Sequence, residues 1–370
     1  MPTTWPQALA WRMGRQLLDP VGSGSAADVV HALGAVPGQH DDSAELALRL
    51  RRTTSGPDDL ARALADGELV STFAFRGAVH LMTPHDAAAY LALRASSRMW
   101  ELPSWQSYYG LAPADWPALR AAAREALADG PLTFTELGAA LTAHAAFRTV
   151  PISWTLLKAL AWQGDLSFGP RRHGAATFQL LDTNPRWTGL AEVDQAGRRA
   201  VESYVRAYGP TTADQVQQWL GGGLGAGRKH IRGWLADLGD RLTEVDVDGA
   251  PRLLLRDDVD ALLATPPSTA VRLLPRYDQW VLGPGTADSH VVPPAQRDPV
   301  SRGANVVLVG GVVSGTWART DTEVVVTWFP DTPPGPRDAL DAEVARLATI
   351  VDRPLRLVVG AAVVDSPSGT

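Results

Sequence analysis

Apolar residues recur at helical spacing in several separate stretches. Ile231, Trp234, Leu235 and Leu238 fall at i, i+3, i+4 and i+7, one stripe on one helix. That helix belongs to a longer pattern that occurs twice. Residues 194–256 begin DQAGRRAVESYVRAYGPTTADQVQQWL and continue AGRKHIRGWLADLGDRLTEVDVDGAPRLLLR. Residues 115–182 run from DWPALRAAAREALADGPLTFTELGAAL to ISWTLLKALAWQGDLSFGPRRHGAATFQLLD. Each predicts a long amphipathic helix, then Gly-Pro-x-Thr (Gly130 to Thr133, Gly209 to Thr212). The Thr is placed to cap a short second helix. A third helix follows, then two alternating strands joined by a Gly-containing turn.

Helix–helix–helix–hairpin is the winged-helix plan. Residues 24–83 fit it less closely, with helices expected over 25–34, 43–52 and 58–66 and strands at LVSTFAF and AVHLMT. From about 267 the pattern changes. VVLVGGVVSGTW reads as a hairpin around Gly310-Gly311. TEVVVTWF adds a strand, 338–351 a helix and LRLVVG a last strand. The expected class is therefore α+β: three tandem winged-helix units and a C-terminal β-rich domain. The expected boundaries are 1–100, 101–185, 186–266 and 267–370.

Length and composition narrow the chemistry. The 370 residues are 45% hydrophobic and 20% charged, enough for several cores. No long uncharged apolar run predicts a membrane span, and the N-terminus does not read as a secretory leader. There is no cysteine, which removes thiolate metal sites, disulfides and cysteine nucleophiles. A cytoplasmic protein, nucleoid-associated when bound to DNA, is expected, as a monomer. Lys158 and Lys229 are the only lysines, so few amines are available for Schiff-base chemistry. Net charge is −6, so nucleic-acid binding would need local basic clusters.

Few catalytic motifs are present in the chain. GGGLGAG (221–227) lies between helices and reads as a loop rather than a phosphate cradle. His80 and His85-Asp86 lack a third metal ligand at useful spacing, so no metal or cofactor is expected. What remains is VPGQHDDSAELALRLRR (36–52), where Gln39, Asp41 and Asp42 cluster beside a Pro-Gly turn. The plain alternative is an exposed loop, with Asp42 or Ser43 capping the next helix.

The ordered strings AWRMGRQLL, SAADVVHALGAVPGQHDDSAELALRLRR, FAFRGAVHLMTPHDAAAYL, RLLPRYDQWVLG and VSGTWAR resemble the winged-helix DNA glycosylases of the AlkZ/YcaQ family. The resemblance covers nearly the whole chain. It implies a monofunctional enzyme that hydrolyses the N-glycosidic bond of bulky N7-alkylated purines in double-stranded DNA, in self-resistance to a DNA-alkylating natural product. It also implies a Gln-x-Gln or Gln-x-Asp signature after the first helix. Alignment on SAELAL puts the second position on Gln39 and the first on Pro37, which has no side-chain donor or acceptor. Reading Gln39-His40-Asp41 restores Gln-x-Asp with a two-residue shift. Asp41 or Asp42 is expected to compensate as the carboxylate base. A non-catalytic, lesion-sensing DNA binder is the alternative that Pro37 favours.

DNA contacts are expected from a wing tip (Arg171, Arg172), from Arg228, Lys229 and Arg232 on a helix face with no acid between 226 and 236, from Arg76 and Arg276 nearer the loop, and from His80, Asp278 and Arg319. Tyr277, Trp280 and Trp317 are candidates to stack on bases, with burial as the commoner fate of such rings.

Overall fold

A computed structural model describes residues 3–360. Three successive segments repeat one arrangement of elements. In the first, helices Ala26–Leu33, Asp41–Arg49 and Asp59–Ala65 precede strands Val70–Phe73 and Val79–Met82. In the second, Trp116–Ala126, Phe134–Ala143 and Trp154–Trp162 precede Leu166–Arg172 and Ala175–Leu180. In the third, Val193–Tyr208, Ala213–Gln217 and Arg228–Asp237 precede Leu242–Val247 and Ala250–Leu255.

The residues just before each middle helix pair with the second hairpin strand. Val36 and Pro37 lie opposite Leu81 and His80. Leu132 and Thr133 lie opposite Phe178 and Thr177. Thr211 exchanges backbone hydrogen bonds with Leu253, at 3.0 and 2.8 Å. The sequence anticipated the caps that follow. The Thr133 hydroxyl accepts from the Glu136 N–H, and Thr212 accepts from Gln215.

Two local expectations change. The middle helix of the first segment starts at Asp41 with His40 as its cap residue, so neither Asp42 nor Ser43 caps it. The glycine-rich stretch is not all loop, because a wider helical turn runs over Gln218–Gly222.

The C-terminal sheet has the order Arg356–Gly360, Glu323–Trp328, Val312–Arg319, Val306–Val309, Val271–Leu274. Its first pair is parallel and the others antiparallel. Gly310 and Gly311 turn the expected hairpin at φ 56° and 91°, a region that favours glycine. Helix Arg337–Val351 covers one face through Leu340, Val344 and Leu347. The other face takes Leu9 and Met13 of helix Trp5–Arg15. Ala8 and Trp11 of that same helix pack on Val247, Leu254 and Leu262 of the third segment, so it joins that segment to the C-terminal sheet.

The first segment is tied to the C-terminal domain by one buried ion pair. Arg51 Nη1 and Nη2 donate to Asp278 at 2.8 and 2.7 Å, both side chains essentially without solvent contact. Arg51 also donates to the carbonyls of Gln16 and Ala47, and Asp278 accepts from the Trp280 N–H at 2.8 Å. Leu50, the neighbouring residue, enters the C-terminal core. Arg51→Met should cost about 3–5 kcal/mol in chemical denaturation, because it leaves a carboxylate buried without its counter-ion. Combining it with Asp278→Leu should recover most of that loss, since both charges then leave together.

Candidate functional site

The 37–40 loop is held on both flanks. On one side the Gly38 N–H donates to the Val79 carbonyl at 2.9 Å, extending the pairing of Val36 and Pro37. This strand lies at the edge of its sheet, where a proline is tolerated. On the other side the His40 ring lies parallel to Tyr277, with centroids 5.9 Å apart. Arg276 Nε donates to the Ser43 hydroxyl at 3.4 Å. Tyr277 sits at φ 59°, an uncommon conformation for a non-glycine residue. The Asp278 ion pair holds that turn against the loop.

Gln39 is exposed, and its side chain has no hydrogen-bond partner among the described residues. It lines a cleft of about 1150 Å³ between the first and second segments. Asp41, Asp42, Glu45 and Arg49 of the following helix face the same cleft, with Leu60 and Leu64 beside them and Trp154, Phe168 and Arg171 opposite.

The two expected carboxylates differ. Asp41 accepts from Arg171 Nε and Nη2 at 3.0 and 2.7 Å, a bridge across the cleft mouth. Both bonds fall on Oδ2 and both side chains are exposed, so Asp41 is engaged without being enclosed. Asp42 is exposed, with no ion-pair partner among the described residues.

Glu45, which the sequence pattern does not single out, is half-buried on the same helix. Its Oε2 accepts from the Leu60 N–H at 3.3 Å, while Oε1 is enclosed without a partner. Burial raises its pKa; the Leu60 N–H and Arg49 only partly oppose this. Asp41, Glu45 and Arg49 at successive i+4 positions were a visible signal, although such spacing ordinarily marks a surface ladder. The folded pKa lies above the unfolded one, so the associated stability is present at low pH and is lost as pH rises through the folded value. Glu45→Gln should therefore raise the thermal midpoint at pH 7 and give little change near pH 4.

The structure redistributes the expected DNA contacts. Trp317 is buried in the C-terminal core, its indole N–H donating to the Leu274 carbonyl, so it cannot stack on a base. Trp280 is buried too, bonded to the Gly311 carbonyl. Asp278 is committed to Arg51 and has no exposed face to offer DNA. His80 is buried opposite Pro37, with Nδ1 at 3.0 Å from the Ala78 carbonyl. Desolvation lowers its pKa to about 4, which makes it neutral at pH 7 and unsuited to a phosphate.

Arg172 pairs with Glu136 as Arg171 does with Asp41, so these two cations of the second segment's hairpin tip each have a carboxylate partner. Arg76 stands exposed at the first hairpin's tip, φ 53°. Arg228, Lys229 and Arg232 are exposed, as is Arg319, and none has an acidic partner among the described residues. Those same residues hold no group of three His, Asp or Glu side chains able to bind a metal. No helix among them is long and apolar enough to cross a membrane.

The family model for AlkZ-like DNA glycosylases matches residues 30–350. The chain belongs to the AlkZ-like DNA glycosylase family. An interstrand DNA cross-link repair glycosylase of Streptomyces sahachiroi is 38% identical over 373 residues, covering 97% of this chain and all of the relative. The solved structure of the S. sahachiroi DNA glycosylase AlkZ superposes with a TM-score of 0.90 at 37% identity, over 97% of this chain and all of that one. This glycosylase therefore shares both sequence and mixed helix–strand architecture with AlkZ along almost its full length.

Proposed function

We propose that this glycosylase hydrolyses the N-glycosidic bond of bulky N7-alkylated purines in duplex DNA, cross-linked purines included, as self-resistance to a DNA-alkylating natural product. Gln39 carries the reading: an exposed, uncommitted amide on a loop fixed from both sides, at the edge of a large cleft. In this reading the three repeated segments are tandem winged helices, with boundaries at 1–100, 101–185 and 186–266, followed by the C-terminal domain.

Alkylation at N7 makes the base cationic and a ready leaving group. The C1′–N9 bond breaks with its electron pair going to the base, through an oxocarbenium-like transition state of the kind seen in other glycoside cleavage. The Gln39 carbonyl orients a water and its dipole faces the developing positive charge. The water oxygen bonds to C1′, and Asp42 takes its proton. Pro37 contributes backbone rigidity in place of a second amide. Neither lysine lines the cleft with Gln39, which favours hydrolysis without a Schiff-base step. Gln39→Ala should slow single-turnover release of N7-methylguanine more than about tenfold while duplex affinity stays within about threefold. An equal loss of affinity would make Gln39 a docking residue.

DNA binding is assigned chiefly to Arg228, Lys229 and Arg232, with Arg76, Arg276 and Arg319 as further contacts. Arg228 and Lys229 sit in the first turn of their helix, where the macrodipole is already positive. That placement is costly without an anionic partner. Replacing both by Ala should weaken binding to all duplexes alike and lower the slope of log affinity against log salt by about two. The same change at Arg171 and Arg172 should lower it less, because each already has a carboxylate.

A further inference from the structure

The cleft beside Gln39 is larger than the roughly 300–1,000 Å³ of ordinary small-ligand sites. Its walls are largely apolar, with Leu60, Leu64, Val79 and Leu81 on the first segment's side. Across from them stands Trp154, 43% exposed although its ring is stacked on Phe134 at 4.9 Å and 9°. A large aromatic side chain that is clamped by packing yet open to a cleft is a preorganised stacking platform.

The charges decide what can enter. Asp41, Asp42, Glu45 and Asp58 face the cleft, against Arg49 and Arg171. Arg171 is already taken by Asp41. With Asp41 and Arg171 cancelling one another, Asp42, Glu45 and Asp58 outnumber Arg49, which disfavours a phosphate backbone and accepts a neutral or cationic group.

We propose that this cleft is a specificity subsite for a flat aromatic, uncharged or cationic substituent carried by the excised base, stacked on Trp154. The proposal rests on Gln39 marking the reaction centre, since Gln39 lies on the cleft's rim. The substituent of an adduct attacked there would extend between the first two segments, away from the phosphates bound elsewhere.

The test compares single-turnover release of N7-methylguanine with release of an N7-guanine adduct bearing a fused aromatic system. Two variants are used, Trp154→Ala and Ala61→Trp, with folding checked by circular dichroism. The second fills the cleft from an exposed helix position. Each should lower the ratio of aromatic to methyl release by about tenfold, in line with the loss of one stacking contact. An unchanged ratio in both overturns the subsite. If the unsubstituted protein releases neither base, the glycosylase reading of the site fails instead. Calorimetry with 9-aminoacridine then decides the cleft alone: one-to-one binding abolished by Ala61→Trp supports it, and no binding overturns it.

Discussion

The Arg51–Asp278 pair fixes the relation between the first segment and the C-terminal sheet. Arg51 follows directly on the helix that starts at Asp41, and Asp278 ends the turn that carries Arg276 and Tyr277. The bidentate geometry of guanidinium on carboxylate sets both distance and angle, which a lysine ammonium would not. Two turns that meet only through tertiary structure are thereby held on either side of Gln39. A buried pair of this kind is weak as a source of stability and strong as a constraint, because any other register leaves two charges unpaired in the interior.

The second organising device is the short strand before each middle helix. In the second and third segments it leads into a Thr that caps the helix. In the first segment the same place holds Pro37-Gly38-Gln39-His40, and no side chain caps the helix. The most altered copy of the repeat is thus the one that carries Gln39. A local rule is relaxed where a polar side chain must stay free.

Arginine serves two opposed purposes in this acidic chain. Arg171 and Arg172 neutralise acids on neighbouring elements, and Arg51 holds a buried carboxylate. Arg228, Arg232 and Lys229 remain uncommitted among the described residues. In a protein of net charge −6, the proposed DNA contacts depend on where its cations are left free rather than on how many it has.

The periodic patterns alone determined most of the secondary structure. The stripe through Ile231 and Trp234, the caps at Thr133 and Thr212 and the Gly310-Gly311 turn all depend on neighbours a few residues away. Gln39 was legible only through the family resemblance, since the local pattern alone also fits an exposed loop between two helices. Partners distant in the chain were not legible. Arg171 meets Asp41 across 130 residues and Arg51 meets Asp278 across 227. Nothing in local spacing separates those side chains from free cations or a free carboxylate. Trp317 and Trp280 looked like stacking candidates because an aromatic residue in a strand or turn reads the same whether its face meets core or solvent. The cleft and the pairing of Asp41 exist only once two segments are packed together, and the raised pKa of Glu45 only once its helix meets the Leu60 turn, because burial and charge pairing are properties of the space between elements.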